Sequence, residues 1–449
     1  MRNSYSRNLN SMPSLVLIGP GNVGQSVLEQ IVLDRLTEHY GRIVVADSTH
    51  VVNVGNDRFD LYSVVQAKRN GGRLDALNHG KLVAEPRENL VNYLEPGTIV
   101  INAMPTEFLG SSDGLEPKAI SADLEAMGNG ADLIAGHKSA FRNQSTYKKI
   151  MDQAFLKGVL YVPAGAVMGP TRTAEFLREL RNYSGVKIVK VEGVLNGTTN
   201  YILSEMFFNG NSFPRALQLA QASKIAEPDP TDDIRGYDAL SKIQVPAILF
   251  GDLQASDVYG LRDGRSNLPE THHHLVSGLN VLGIEGVTKE LLEELKAAGQ
   301  LVKLVASYNV ATGSVEVGPK VLKIDDPLSQ LRGTQNMLVL NLDGQLVKVE
   351  NILKKIYDQT PSVQRDGSII NYKITVKFSY LDTTFTIIPD RFDIAFSYDT
   401  ESNKLTVIGP GAGNSKTATG LLGAANMIRT TPKWLKSAEA RRQIPTSHH

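Results

Sequence analysis

The sequence predicts an α/β protein, a doubly wound parallel sheet followed by an α+β unit. Three observations predict it. Short apolar runs alternate with segments of helical period through the first 160 residues, the pattern of βαβ units. From about residue 187 the apolar runs alternate and are separated by amphipathic helices. Near the C-terminus, LTVIGPGAGNSKTATGLLGAANMI (405–428) repeats the strand, glycine turn and helix with which the chain begins.

Each element has its own signal. Residues Ser14 to Ile18 (SLVLI) read as a strand buried on both faces. The turn Gly19-Pro20-Gly21-Asn22-Val23-Gly24 precedes a helix in which Val27, Leu28, Ile31, Val32 and Leu36 recur at helical spacing. Further strands of the same sheet are expected at 42–46 (RIVVA), 81–85 (KLVAE), 97–105, 131–136 and 158–165. The stretch 187–207 reads as a strand, a polar turn and a helix. Helices are expected at 214–224, 236–251 and 288–300, and strands at 315–324 and 336–343. Pro246 predicts a kink in the 236–251 helix. Within 345–404, a helix (VENILKKIYDQ) precedes two or three aromatic, alternating strands.

Composition narrows the function. The 449 residues hold 47 Lys plus Arg against 47 Asp plus Glu, so there is no basic surplus of the kind that phosphate binding needs, and nucleic acid is not an expected partner. The chain has no cysteine, which excludes disulfides, thiolate metal ligands and a Cys nucleophile. The first thirteen residues are polar and no run approaches the ~18 apolar residues of a membrane span, so a cytoplasmic protein without membrane contact is expected. His272, His273 and His274 have no carboxylates spaced to complete a metal site, and no metal is expected. A P-loop motif is absent.

The turn at Gly19, Gly21 and Gly24 follows a strand and opens a helix, the setting of a Rossmann dinucleotide fingerprint. The first glycine makes the turn, the second lets a pyrophosphate approach, and the third allows close packing. Gly19, Gly21, Asn22, Val23 and Gly24 are the candidate cofactor residues. Asp47 ends the next strand about twenty residues on, where an acid accepts bonds from ribose hydroxyls and repels a 2′-phosphate. It leans the choice between NAD and NADP toward NAD, although Arg42, His50 or Arg58 could recruit a phosphate.

The densest chemistry lies in Glu227-Pro228-Asp229-Pro230-Thr231-Asp232-Asp233-Ile234-Arg235-Gly236-Tyr237-Asp238-Ala239-Leu240-Ser241-Lys242. Asp238 and Lys242 are four apart and share one helix face, an arrangement that serves a surface ion pair equally well. This stretch, with Glu192-Gly193-Val194-Leu195-Asn196-Gly197-Thr198-Thr199-Asn200-Tyr201-Ile202-Leu203 upstream, resembles the homoserine dehydrogenase family. The order of pieces is similar too. The dinucleotide fingerprint comes first, then Lys138 in AGHKSA, the NGTTNYIL run, the EPDPTDD run, DPL (326–328) and GPGAG (409–413).

The resemblance covers roughly 14–343 and 405–428. It implies reversible NAD- or NADP-dependent hydride transfer between L-homoserine and L-aspartate 4-semialdehyde in a homodimer. It further implies that Lys242 handles the proton at the substrate oxygen with Lys138 close by. Glu227 and Asp238 would hold the substrate ammonium, Asp233 would pair with and orient a lysine, and Gly197 and Thr198 would line the site. Gly409, Gly411, Ala412 and Gly413 would lie beside the cofactor. The expected division is a tail (1–13), a dinucleotide-binding domain (14–160), a substrate-binding and dimerisation domain (161–344), an inserted α+β subdomain (345–404), a C-terminal strand–glycine turn–helix returning to the nucleotide domain (405–435), and a tail (436–449).

Several residues depart from the family pattern. Lys224-Ile225 replace Gly-Tyr before the acidic run, and His137 replaces the asparagine before Lys138. The loop that holds a monovalent cation in some members here reads Ala164-Gly165-Ala166-Val167-Met168-Gly169-Pro170-Thr171-Arg172, without its glutamate. Arg172 and Lys224 would add positive charge near the substrate. Two alternatives follow: a dehydrogenase of a more anionic amino alcohol or aldehyde, or a non-catalytic dinucleotide-binding homologue.

Overall fold

The structure, a computed structural model, describes residues 12–77, 81–106, 116–181, 187–251, 279–281, 283–343, 361–363, 369–371, 383–387, 394–399, 402–410 and 414–431. The expected helix at 349–359, Gly411, Ala412, Gly413, His272, His273 and His274 lie outside them.

Two sheets organise the chain. The first holds β1 (Ser14–Ile18), β2 (Arg42–Ala46), β3 (His50–Gly55), β4 (Ala84–Pro86), β5 (Ile99–Asn102), β6 (Asp132–Ala135) and β7 (Tyr161–Val162), in the order β4-β3-β2-β1-β5-β6-β7. The five strands from β2 to β7 are parallel, and every residue of β5 and β6 is buried. Helices α1 (Asn22–Leu33), α2 (Arg58–Arg69), α3 (Lys118–Gly128) and α4 (Gln144–Lys157) accompany them.

The expected all-parallel sheet therefore gains an antiparallel edge. The strand read at 81–85 is the short β4, which pairs antiparallel with β3, and β3 pairs antiparallel with β2. Asp47 makes that reversal. Its carboxylate accepts from the Thr49 and His50 N–H groups at 3.0 and 2.9 Å, which folds the chain straight back after β2.

Helix α5 (Thr173–Arg181) leads to the second sheet. There β8 (Lys187–Val194) is followed by α6 (Gly197–Asn209), α7 (Phe213–Ala222), the single turn α8 (Thr231–Ile234) and α9 (Tyr237–Phe250). Pro246 lies inside α9, which continues to Phe250, and the proline has no N–H for the Lys242 carbonyl one turn back. Strand β9 (Leu279–Val281), helix α10 (Lys289–Ala297), β10 (Gln300–Asn309), β11 (Val315–Lys323) and β12 (Gln335–Asp343) follow.

Strands β13 (Pro361–Val363) and β14 (Ile369–Asn371) form a separate pair. Strands β15 (Thr383–Ile387), β16 (Ile394–Asp399) and β17 (Lys404–Pro410) join the second sheet, whose order is β15-β16-β17-β12-β8-β10-β11-β9. Strands β15 and β16 of the 345–404 segment thus lengthen this chain's own sheet.

The last described helix, α11 (Asn414–Thr430), returns to the first sheet. Gln30 of α1 donates to the Ser415 carbonyl at 2.6 Å and accepts from the Thr419 hydroxyl at 3.0 Å. Ala418, Leu421, Ala424, Ala425 and Ile428 are buried in the same core as Leu15, Leu17, Val27 and Ile31.

Lys303 of β10 is 1% exposed. It donates to Asn200 Oδ1 at 2.6 Å, to the Leu331 carbonyl at 2.8 Å and to Ser204 Oγ at 3.4 Å. Burial first, and Arg332 second, push its pKa down from 10.5 to about 7. Above about pH 7 the folded chain releases a proton that the unfolded chain keeps to about 10.5, so stability should rise with pH across that window. The slope is at most about 1.4 kcal/mol per pH unit. Urea midpoints at neutral and alkaline pH check it. Lys303→Met should flatten the slope, and an unaltered slope would assign it elsewhere.

Candidate active site

The polar turn 195–198 builds the site. At residue 196 the chain leaves β8 and enters α6 with Asn196 as N-cap: its Oδ1 accepts from the Thr199 N–H at 2.8 Å. Gly197 is packed so closely that an added Cβ would lie 3.0 Å from the Thr334 carbonyl oxygen. Thr198 is buried, and its hydroxyl donates to the Ile225 carbonyl at 3.2 Å.

Helix α9 presents Asp238 and Lys242 to this turn. Lys242 Nζ lies 2.7 Å from Asp238 Oδ2 and donates to the Leu195 carbonyl at 2.7 Å. The Leu195 oxygen also accepts from Asn336 Nδ2 of β12 at 2.8 Å. Two positions on the Lys242 nitrogen are thus committed, and a tetrahedral amine keeps one further position for a substrate oxygen. Lys138, just after β6 of the first sheet, brings its Nζ within 3.6 Å of Asp238 Oδ1. Its main-chain N–H donates to Thr106 Oγ1 at 3.1 Å. Asp238 therefore holds both lysines. The Lys138 and Asp238 side chains keep 17% and 22% of their surface exposed, so the cluster opens to solvent.

The acids divide the work differently from expectation. Asp233, expected to pair with a lysine, instead accepts from Asn196 Nδ2 at 2.6 Å, while Asp238 makes the lysine pairs. Glu227 is exposed on the α7–α8 loop. Gln221 braces that loop by donating to the Glu227 and Pro228 carbonyls at 3.3 and 3.2 Å. Among the described residues no bond joins the Glu227 carboxylate to the lysines.

Protonation follows from these contacts. Burial pushes the Asp238 carboxyl up, but the Lys242 and Lys138 ammonium groups outweigh it and hold the acid below the ordinary carboxylate range. Burial and the neighbouring Asp238 charge raise Asp233, against the bonds from Asn196 and Thr198. Burial lowers Lys138; Asp238 pulls it back up and Lys242 pushes it down again.

The glycine turn fits a dinucleotide. Gly19 has φ +81°, and a Cβ there would meet the Met104 nitrogen at 2.8 Å. A Cβ on Gly24 would strike the Gly19 carbonyl oxygen, whereas nothing lies within 4 Å of one on Gly21. No side chain caps the start of α1, and Gly21 and Asn22 are exposed beside half-buried Val23. This open helix end suits a pyrophosphate.

Asp47 is differently placed from expectation. Besides the turn bonds, its Oδ2 accepts from the Leu74 N–H at 3.2 Å and lies 3.4 Å from Lys68 Nζ. Burial raises this acid, but the three N–H donors and Lys68 outweigh it and bring its pKa down to about 2. Its lone pairs are committed within the chain, and Lys68 offsets the charge that would repel a 2′-phosphate. Two of the basic residues close to it in sequence are also engaged: Arg42 is bonded to Glu95 at 2.6 Å and Arg58 to the Val32 carbonyl at 2.7 Å.

The departures from the family pattern also find places. Arg172, expected near substrate, is 2% exposed and forms a two-pronged pair with Glu175 at 2.8 and 2.7 Å. Lys224 is exposed in a left-handed conformation (φ +56°). His137 is buried, accepts from the Ser139 N–H at 3.3 Å and faces Asp123 at 3.3 Å. Gly409 is buried in β17 opposite Asn336 of β12.

Asn196, the Leu195 carbonyl and Asn336 escaped the sequence reading. Asn196 carried a visible cap signature ahead of α6. A main-chain carbonyl leaves no mark in a sequence, and Asn336 sits in an otherwise ordinary apolar strand.

A Rossmann-type sheet with an open glycine turn, meeting a second sheet at a lysine–aspartate cluster, defines the class of a dinucleotide-dependent dehydrogenase. A homoserine dehydrogenase family model matches residues 176–347, which include the turn at 195–198 and all of α9. The homoserine dehydrogenase of Methanocaldococcus jannaschii is 25% identical over 334 residues, 73% of this chain and 89% of that protein. That of Sulfurisphaera tokodaii is 30% identical over 231 residues, 51% of this chain and 64% of the relative. A hyperthermophilic archaeal homoserine dehydrogenase solved in complex with NADPH shares the fold at TM-score 0.60 and 20% identity, with 92% and 96% of the two chains covered. The homoserine dehydrogenase of Thiobacillus denitrificans does so at 0.59 and 19%, with 97% and 76% covered. The chain is thus similar to homoserine dehydrogenases, most specifically over the 176–347 stretch that carries Asn196, Asp238 and Lys242.

Proposed function

We propose that the protein catalyses reversible hydride transfer between L-homoserine and L-aspartate 4-semialdehyde with NAD or NADP. The observation that supports this most is the meeting of Lys138 from the first sheet with Asp238 and Lys242 from the second. Oxidising a carbinol requires loss of its hydroxyl proton, and Lys242 accepts that proton at its uncommitted position. Lys138 keeps the adjoining charge positive, and Asp238 fixes both amines. Glu227 and Asp233 bind the substrate ammonium, and Gly197 and Thr198 line its site. The nicotinamide supplies the redox chemistry when bound. Gly19, Gly21, Asn22, Val23 and Gly24 hold its pyrophosphate, with Gly409 and the 411–413 turn alongside. The proposal keeps the domain division expected from the sequence, with β15 and β16 joined to the second sheet.

With Asp47 committed to its own turn and Lys68 beside it, NADP is accepted as well as NAD. The alternative of a more anionic substrate rested on Arg172, which Glu175 neutralises in the interior, and on Lys224, which is exposed. A homodimer and a cytoplasmic location complete the reading. No described helix is long and apolar enough to cross a membrane.

The test is absorbance at the reduced-nicotinamide band with L-homoserine, using each cofactor separately at mildly alkaline pH. Turnover is expected with both. No signal with either, from protein shown to bind the cofactor, would overturn the reading.

A further inference from the structure

Asn196 is 3% exposed, and all four of its amide bonding positions are filled. Its Oδ1 accepts from the Thr199 N–H and hydroxyl at 2.8 and 2.9 Å. Its Nδ2 donates to Asp233 Oδ1 at 2.6 Å and to Asp238 Oδ2 at 2.8 Å. The amide cannot be turned over. The reverse orientation would set its NH₂ against the Thr199 N–H and its oxygen against two carboxylates.

The helix cap thus fixes which way the donor points, and the donor fixes two acids that would otherwise repel each other. One of them, Asp238, is the group on which Lys138 and Lys242 converge. The groups facing this point are Asp233 from α8, Asp238 and Lys242 from α9, and Lys138 after β6.

We propose that Asn196 is a positioning residue that locks Asp238 in place for both lysines and limits the negative charge they meet. This rests on the hydride-transfer reading for its consequence in turnover, but not for its effect on the lysines. Cap preference does not select asparagine here, because serine and aspartate cap helices about as well. The site requires an acceptor toward the helix and two donors toward the acids on one short side chain.

Two variants separate the roles. Asn196→Ser keeps a cap but cannot span both acids; Asn196→Asp keeps cap and shape but loses the donors and adds a third negative charge. In the full chain both should retain the wild-type circular dichroism spectrum and cofactor affinity, and lose roughly ten- to a hundredfold in kcat. In Asn196→Asp the activating limb of the pH–rate profile should move up by about one pH unit, because an added anion favours the ammonium form.

A second readout does not use turnover. Labelling of Lys138 by an amine-directed reagent, followed by mass spectrometry across pH, should shift in the same direction in Asn196→Asp. That shift in a chain showing no homoserine turnover would sink the proposed reaction and support the positioning role. Unchanged kcat and labelling in both variants would overturn the positioning role while leaving the reaction standing. Loss of activity matched by loss of fold and cofactor binding, with the labelling profile unmoved, would reduce Asn196 to a helix cap and overturn the proposal.

Discussion

Replacing Lys242 by alanine is expected to lower turnover by at least ~10²-fold while cofactor affinity stays near wild type. The amine is 2.7 Å from both Asp238 and the Leu195 carbonyl, and these two contacts aim its remaining position. Lys242→Arg should not rescue activity, since a guanidinium does not give up its proton at working pH and cannot act as a base. Steady-state kinetics with nicotinamide fluorescence titration separates the effects. Wild-type turnover in Lys242→Ala would end its assignment as the proton acceptor. The glycine turn of α1 contributes nothing to this cluster, which is why binding and turnover should part.

Arg172→Ala should destabilise the folded chain severely, by about 3–5 kcal/mol. The Arg172 and Glu175 side chains are 3% and 4% exposed, and truncation strands a buried carboxylate. Arg172 also reaches Met427 Sδ of α11 at 3.3 Å, so the pair ties α5 to the returning helix. Arg172→Ala with Glu175→Ala should recover most of the loss, because the stranded charge is then gone. Denaturant midpoints of the single and double variants decide the matter. A stable Arg172→Ala that bound a carboxylated substrate poorly would restore this arginine to the site.

Much of the site was legible because its chemistry is local. The four-residue spacing of Asp238 and Lys242 specifies one helix face, and the strand, polar-turn and helix signals of 187–207 place the turn. The glycine turn likewise declares its strand and helix. Strand direction is less visible. The strand at 50–55 escapes the sequence reading altogether: Asp47 reverses the chain immediately after β2, so β3 runs antiparallel, and the 81–85 run becomes an edge strand paired to that reversed neighbour. An acid at the end of β2 carries the same letter whether it faces a ribose or its own turn. Arg172 shows the same ambiguity. A positive charge beside a substrate region looks functional until its partner three residues on is seen in the same buried layer.

The return of α11 to the first sheet also governs when the N-terminal layer can be finished. Gln30 and its partner Ser415 are 385 positions apart. At translation rates of ~5–20 residues per second, roughly 20–80 s pass between their synthesis. During that interval the apolar face that later meets Ala418, Leu421 and Ile428 has no cover from its own chain. The nascent protein thus spends its synthesis with an open seam on its oldest domain, and such contacts between distant residues make folding slow. Chaperone binding to that seam, and aggregation of chains halted before β17, are the costs of closing a domain with the chain's far end.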